Sequence, residues 1–244
     1  MMLANSVAVY LLVLSRIIGV LLIIPIFADT IMPRSTRVLF AGVIAFLITP
    51  FLYHVTVSYD NLIYFLVMTV KEFLIGVMLS YVLSFPFWML ENVGNIIDVQ
   101  RGEQMGSLYN PSTKLQSSSI GMLISKGFLV YLVANKGLLL FLQIMCDSFS
   151  VMPINDLHSI FNIKFAKIAS FFVNYIYWTV VLSLPVIFVL FLVDLSLSVM
   201  SAFVPQLNVT ITAMPIKAVV AIVMVILFIG VFYHVAIRQF PVSI

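Results

Sequence analysis

Six apolar stretches, each about long enough to cross a bilayer, limit the folds open to this sequence. A membrane-spanning helix needs about 20 largely apolar residues, and such runs recur along the whole chain. The candidate segments are Leu3–Phe27, Val38–Val57, Leu62–Leu90, Ile120–Met145, Ile168–Val193 and Ala218–Ile237, and a shorter piece, Leu195–Val204, follows the fifth. The pattern predicts an all-α, multi-pass membrane protein with about six hydrophobic segments, some of them broken into half-helices.

Composition supports this fold class and argues against several others. Of the 244 residues, 63% are hydrophobic and 9% charged, and the mean hydropathy is +1.21. The twelve basic residues are scattered singly, so they form no patch for nucleic acid. One cysteine excludes an internal disulfide, and no Cys/His cluster has zinc spacing. We expect no nucleic-acid partner, no metal and no cofactor.

Breaks and domain limits follow from the same pattern. The third segment is too long for one straight crossing, so we expect tilt or a break at Pro86. Lys and Arg occur in loops on both sides of the predicted spans, so the distribution of positive charge does not set an orientation. No repeat or low-complexity linker divides the chain, so we predict a single domain over 1–244.

A polar segment, 91–119, lies between the third and fourth apolar blocks and carries five charged residues. Three glycines and the Asn110-Pro111 step predict turns and loops. Lipid cannot satisfy irregular backbone, so this segment either lies in water beside the bilayer or lines an aqueous space. Its start is compatible with a continued helix, in which Asp98 and Arg101 form an i,i+3 ion pair.

Within this segment, seven residues have the composition of a flexible constriction, because glycine supplies mobility and Met, Leu and Tyr can close a hole by packing. They are Met105, Gly106, Ser107, Leu108, Tyr109, Asn110 and Pro111. The same composition is equally typical of the tip of a surface hairpin.

Charged residues inside the apolar blocks indicate where helices face protein or water. A charge facing lipid costs roughly 2.5 to 3.5 kcal/mol. The residues concerned are Arg16, Lys71, Glu72, Lys126 and Lys136. A relay of protons or ions would need several acids across one span, and Glu72 is the only acid inside a block.

Small and polar residues also recur at four-residue spacing, which places them on one helix face and permits close approach of a neighbouring backbone. The first row is Glu72, Gly76, Ser80 and Ser84, and the second is Asp194, Ser198 and Ala202. These rows, with the pair Asp98 and Arg101, predict either packing within the chain around a buried ion pair or a seam against another subunit.

Catalytic patterns are scarce. The three histidines lie at block ends outside any HExxH frame, and neither a GxSxG elbow nor a GxxxxGK phosphate loop occurs. We therefore predict a protein that is not an enzyme.

Several motifs, taken in order, carry a resemblance to a known family. They are Arg16-Ile-Ile-Gly19 with Pro25 and Pro33, Lys71-Glu72 with Gly76, Glu91 to Gly102, Asn110-Pro111, Pro185 with Asp194-Leu195, and Pro205-Gln206-Leu207-Asn208-Val209 before Met214-Pro215-Ile216-Lys217. In this order and spacing the chain resembles the FliR/SctT/SpaR family, the export-gate component of bacterial type III secretion systems. Asn110 stands where the family often has an acid, and the stretches 201–203 and 213–215 also depart from its pattern. These departures favour the T-type subunit of a virulence injectisome over a flagellar protein.

The resemblance implies a non-enzymatic pore subunit of the bacterial inner membrane, held in the basal body of the secretion system. One copy is expected to close a ring with R-type and S-type gate subunits, through which unfolded polypeptides are exported. The U-type switch protein, the inner rod and membrane lipid are further expected partners. The family's pore plug maps onto residues 105–119. A stand-alone secondary transporter or channel is the alternative, and a membrane enzyme is a third.

Overall fold

The computed structural model describes residues 2–28, 32–52, 62–103, 118–156, 165–203 and 209–240, and the regular elements within these ranges are helices, with no strand among them. The helices are α1 (Met2–Ile23), α2 (Arg34–Ile48), α3 (Leu62–Arg101), α4 (Ser119–Ala134), α5 (Gly137–Val151), α6 (Phe165–Phe203) and α7 (Val209–Arg238). Two short 3-10 turns, Pro25–Phe27 and Thr49–Leu52, follow α1 and α2. The all-α prediction is confirmed.

Five of these helices are long and apolar enough to cross a membrane, and a sixth span results if the bent pair α4 and α5 is counted as one. The pair breaks at Lys136, whose backbone has a φ of 61°. This left-handed conformation is one that helices use at their ends rather than inside. The segment predicted over Ile120–Met145 therefore consists of two half-helices, as the sequence led us to expect for some segments.

Proline does not interrupt the two longest helices. For the third segment the sequence predicted tilt or a break at Pro86, and the break does not occur, because α3 runs unbroken over 40 residues. The fifth segment and the shorter piece that follows it form one helix, α6, which continues through Pro185 for 39 residues. Proline inside a membrane helix is tolerated where neighbouring groups satisfy the freed backbone carbonyls. Each helix is about 60 Å long, twice the hydrocarbon thickness of a bilayer.

The chain divides into two compact units, each made of separate stretches of sequence. Unit 1 comprises 1–85, 135–171 and 241–244, and unit 2 comprises 86–134 and 172–240. Both α3 and α6 contribute to each unit. The single domain predicted over 1–244 stays a prediction.

In unit 1, a glycine pair brings α1 against α3. A Cβ atom added to Gly76 would lie 2.1 Å from the carbonyl oxygen of Arg16, and one added to Gly19 would lie 2.5 Å from that of Phe73. Only glycine, whose side chain is a single hydrogen atom, fits at this crossing. The contact sets the polar residues of the two helices face to face.

In unit 2, a second glycine pair brings the start of α4 against α3. A Cβ atom on Gly94 would lie 2.2 Å from the Cα of Gly121. Beside this crossing, the rings of Phe87 and Phe128 meet edge to face at 5.1 Å, and Tyr233 packs on Phe128 at 5.7 Å. The crossing places the end of α3 next to the first turn of α4.

Candidate functional site

Unit 1 contains a buried charge triad, formed by Arg16 of α1 and by Lys71 and Glu72 of α3. Arg16 and Glu72 are fully buried, and Lys71 is 4% exposed. The Glu72 carboxylate lies 2.6 Å from the Arg16 guanidinium and 2.8 Å from Lys71 Nζ. One carboxylate therefore binds two cations. This is the buried ion pair expected if the row on α3 packs within the chain.

The excess positive charge of the triad is directed at backbone carbonyls at and beyond the end of α5. Arg16 donates to the carbonyls of Ser148 at 2.9 Å and Met152 at 2.8 Å. Lys71 donates to those of Ile154 at 2.9 Å and Asp156 at 3.1 Å. Carbonyls at a helix C-terminus carry the negative end of the helix dipole, and that of Ser148 also accepts a hydrogen bond from the backbone N–H of Met152 at 3.0 Å. The triad thus joins α1 and α3 to the end of α5.

Unit 2 contains a second polar cluster around the end of α3, which we call the collar. It consists of Asp98, Gln100, Arg101, Glu103, Ser118, Ser119, Asp194 and Lys217. These residues come from the end of α3 and the two residues after it, from the start of α4 and the residue before it, and from α6 and α7.

Asp98 is the centre of the collar. Its carboxylate accepts hydrogen bonds from the Ser118 hydroxyl and from the backbone N–H of Ile120, the latter at 2.9 Å. It also forms an ion pair with Arg101 at 2.6 Å. The predicted i,i+3 pair and the continued helix are therefore confirmed. Gly102, with a φ of 89°, follows the last residue of α3 in a conformation that glycine favours.

Ser118 caps α4 as well as binding Asp98. Its hydroxyl oxygen accepts a hydrogen bond from the backbone N–H of Gly121 at 2.7 Å, which is the usual geometry of an N-cap serine. The first turn of α4 is thereby fixed to the end of α3.

Glu103 completes the link between the two sides of the collar. It accepts a hydrogen bond from the Ser119 hydroxyl at 2.6 Å and pairs with Arg101 at 2.6 Å. Partial burial alone would raise the pKa of Glu103, but the hydrogen bonds from Ser119 and Arg101 outweigh it and the pKa lies below its usual value. Residues 103 and 119, which flank the stretch 104–118, are therefore within hydrogen-bonding distance.

Lys217 brings α6 and α7 to the same end of α3. Its ammonium group lies 3.0 Å from the Asp194 carboxylate and donates to the Gln100 carbonyl at 2.8 Å. Sequence reasoning did not assign a role to Lys217 or Glu103, and it placed Ser118 and Ser119 only at the end of the stretch onto which the plug was mapped. The available signal for Lys217 was its position at the start of the last apolar segment.

The residues predicted for a subunit seam occupy different environments. Glu72 belongs to the triad, Gly76 packs on α1, and Ser80 and Ser84 are buried. Asp98, Arg101 and Asp194 belong to the collar, whereas Ser198 is exposed. The structure brings the first four into contacts within the chain, and their role as a seam stays a prediction.

The predicted plug, Met105 to Pro111, lies outside the described residues. Over the described ranges, no group of three or more His, Cys, Asp or Glu side chains is placed to hold a metal ion. The triad and the collar consist of ion pairs, of hydrogen bonds to backbone groups and, in the collar, of hydrogen bonds from serine hydroxyls to carboxylates. Such an arrangement fixes helices in place.

Comparison with known proteins identifies the family. The sequence model of the family described as "Bacterial export proteins, family 1" matches residues 7–241, nearly the whole chain. The chain belongs to this family. The resemblance to FliR/SctT/SpaR proteins is thereby confirmed, since relatives of this bacterial export protein include proteins named SpaR and FliR.

Three relatives illustrate the range of sequence identity and coverage. Yop proteins translocation protein T of Yersinia pestis is 32% identical over 162 residues, which is 65% of this chain and 61% of the relative. Surface presentation of antigens protein SpaR of Shigella flexneri is 32% identical over 160 residues, or 66% of this chain and 60% of the relative. Flagellar biosynthetic protein FliR of Bacillus subtilis is 29% identical over 238 residues, which is 96% of this chain and 91% of the relative. The export protein thus spans about three fifths of the length of the first two curated relatives.

Proposed function

We propose that this chain is a non-enzymatic pore subunit of a type III protein secretion export gate in the bacterial inner membrane. In this proposal it closes a ring with R-type and S-type subunits, and unfolded proteins pass through that ring. Family membership supports an export role. The names of the Yersinia and Shigella relatives, a translocation protein and a surface-presentation protein, favour a virulence system.

The observation that carries the proposal is the length of the exposed apolar band on α6. Exposed large apolar side chains recur along this helix from Phe172, which is 52% exposed, to Phe203, which is 81% exposed. At about 1.5 Å per residue the band is about 46 Å long. The hydrocarbon core of a bilayer is about 30 Å thick, and even with headgroups a bilayer reaches only about 40–45 Å.

Tilt does not remove this excess. At a tilt of about 40°, the upper end of the range for membrane helices, the band still rises about 35 Å. On α7, by contrast, the exposed apolar band runs from Ile216 to Val231, about 22 Å, and fits inside the hydrocarbon. Lipid can therefore cover α7, whereas part of α6 needs a protein partner with an apolar helix face.

Lys126 also supports a protein partner, in this case at α4. It lies in the middle of the apolar helix α4 and is exposed in this chain. A lysine facing lipid near the centre of a helix costs about 2.5 to 3.5 kcal/mol. A partner subunit or an aqueous conduit would remove that cost.

We place the pore plug at residues 105–111, within 105–119. The collar supports this placement because it joins Glu103 to Ser119 and so holds both ends of the intervening stretch together. Deleting Gly106 to Pro111 should raise leakage of ions while the complex still assembles. Unchanged leakage through an assembled complex would overturn the placement.

We propose the subunit seam for the α6 row, where Ser198 is exposed and Asp194 is partly so. The row on α3 is a candidate only if an assembled gate displaces α1 from Gly76. The U-type switch protein, the inner rod and lipid would contact surfaces outside the ring. The proposed location is the basal body.

Native mass spectrometry of the tagged chain, extracted in mild detergent with and without co-expressed R-type and S-type subunits, tests the function. We expect a discrete hetero-oligomer that contains one copy of this chain. A stable monomer or homodimer that ignores those subunits would overturn the proposal and favour a stand-alone transporter or channel.

A further inference from the structure

Unit 2 carries a second group of polar side chains beside the collar, on one side of the pair formed by α3 and α4. We call it the polar face. Lys126 is exposed and the other four members are half-buried. None of them belongs to the triad or the collar. The members are Glu91, Asn92 and Asn95 of α3 and Ser125 and Lys126 of α4.

Contacts at the glycine crossing place these residues on the same side of the two helices. A Cβ atom added to Gly121 would lie 2.7 Å from Ser118 Oγ and 3.1 Å from Asn95 Oδ1. Asn95 therefore borders α4 on the side towards which Gly121 points. Ser125 follows Gly121 by four residues and so lies on that side of α4, and Lys126 comes directly after it.

Helix α7 covers the opposite side of α4. Gly127 follows Ser125 by two residues, which is about 200° around a helix. A Cβ atom added to Gly127 would lie 2.2 Å from the hydroxyl of Tyr233, and the rings of Tyr131 and Tyr233 are 5.2 Å apart. The packing of α7 on α4 thus leaves the polar face uncovered by that helix.

The polar face carries one charge of each sign, and neither is compensated within the described part of the chain. No described residue forms an ion pair with Glu91 or Lys126. The three other acids of unit 2 belong to the collar and are paired there. Each charge would cost about 2.5 to 3.5 kcal/mol if it faced lipid near the centre of a helix. Lipid is therefore a poor environment for this face.

The polar face extends to the same depth on both helices. Glu91 comes seven residues before Asp98 of the collar, and Lys126 comes seven residues after Ser119. At about 1.5 Å per residue, both charges lie about 10 Å from the collar. Deeper on α4, the exposed residue Val130 is apolar. The polar surface is thus a shallow region that continues the collar.

Water satisfies such a face at lower cost than a covering helix would. A covering helix would bury both charges, and each buried ion costs several kcal/mol unless a well-placed opposite charge replaces the water. The carboxamides of Asn92 and Asn95 each carry donors and an acceptor. Asn95 donates to Asn92 Oδ1 at 3.1 Å, so the two amides form one patch. Such a patch can form hydrogen bonds with the peptide groups of an unfolded polypeptide, whatever its side chains.

We propose that the polar face is part of the conduit wall, in a water-filled section beside the collar, and that its carboxamides contact the backbone of the polypeptide in transit. This inference rests on the proposed function, because the conduit exists only when R-type and S-type subunits complete the ring. Lys126 then faces water that the partner subunits enclose. A face covered by a helix of a partner subunit is the competing arrangement.

The first test measures the accessibility of single cysteines in open membrane fragments that contain the assembled complex. The exposed Cys146 is first replaced by serine. Asn95→Cys and Lys126→Cys are then labelled with a charged, membrane-impermeant maleimide. The control is Val219→Cys, on the exposed apolar band of α7. We expect both test positions to react at least about tenfold faster than the control, because the reactive thiolate forms in water and is disfavoured in apolar surroundings.

The second test identifies the neighbour of the face. A photo-crosslinking amino acid replaces Lys126, or Val219 as the control. The probe is a reporter polypeptide with the secretion signal of the same system, fused to a stably folded domain that stalls it. We expect crosslinks to the reporter from position 126 and none from position 219.

Two results would overturn the inference. One is labelling of both test cysteines no faster than the Val219→Cys control, and the other is crosslinking of position 126 to a partner subunit without any crosslink to the reporter. Co-purification with R-type and S-type subunits is checked for every variant beforehand. Lys126 is exposed, so its replacement keeps the test valid if Asn95→Cys assembles poorly. Failure of the parent chain to co-purify would instead overturn the proposed function.

Discussion

Replacing Glu72 with glutamine removes the only carboxylate of the buried triad without changing its size. Glutamine can still accept a hydrogen bond from Arg16 or Lys71, so the variant isolates the charge. Both cations are at most 4% exposed, and water cannot replace the lost partner. The carbonyls at the end of α5 remain as partial compensation.

The structure sets the size of the effect. Removing one partner of a buried pair typically costs about 3–5 kcal/mol because a charge is left uncompensated. Here one carboxylate serves two cations, so we expect the upper end of that range, about 5 kcal/mol. For a chain of this size, 1 kcal/mol shifts the Tm by about 2–4 °C. The expected loss is therefore roughly 10–20 °C.

Thermal unfolding in detergent, together with the amount of protein in the membrane, measures this loss. Glu91→Gln, a partly exposed glutamate on the same helix, is the matched control and should change stability by less than about 0.5 kcal/mol. Replacing all three triad residues with methionine should recover much of the stability, because no unpaired charge remains. A Tm for Glu72→Gln within about 2 °C of the parent would refute the charge compensation inferred here.

Three further predictions concern other parts of the chain. Gly94→Val should prevent accumulation of folded protein, because the valine side chain would overlap the α4 backbone. Gly230→Ala is the control, since a Cβ atom there has no neighbouring atom within 4 Å. Normal accumulation of the valine variant would contradict the crossing. The pKa of Glu103 is lowered on folding, so its stabilising contribution is present above the unfolded value of about 4.3 and is lost as the pH falls through the lower folded value. Hydrogen exchange at the start of α4, corrected for intrinsic rates, should show this loss below about pH 4, and Glu103→Gln should abolish it; the same pH dependence in that variant would exclude Glu103 as the titrating group. Val173→Glu or Phe203→Glu, at the two ends of the α6 band, should reduce co-purification with R-type and S-type subunits while membrane levels stay normal, and full co-purification of both variants would show that the band does not mark the interface.

The fold class and the presence of buried ion pairs could be read from residue order alone. Apolar runs of bilayer length require helices, and charges inside such runs require partners, which pointed to Arg16, Lys71 and Glu72. The same reasoning also named Lys126 and Lys136, which are exposed. The Asp98–Arg101 pair was also predictable, because helical periodicity places residues three apart on one face. Family membership followed from short motifs whose order and spacing span the chain.

The partners of those charges were decided by tertiary packing. Nothing in local sequence pairs Asp194 with Lys217, or directs Lys71 to the carbonyls of residues 154 and 156, because contacts between distant residues depend on which helices meet. Continuity of α3 through Pro86 likewise depends on surroundings that offset the cost of proline, and the break at Lys136 depends on a backbone conformation that lysine seldom adopts. Periodicity determines which side of a helix is polar, whereas close crossings such as Gly94 on Gly121 determine what that side touches.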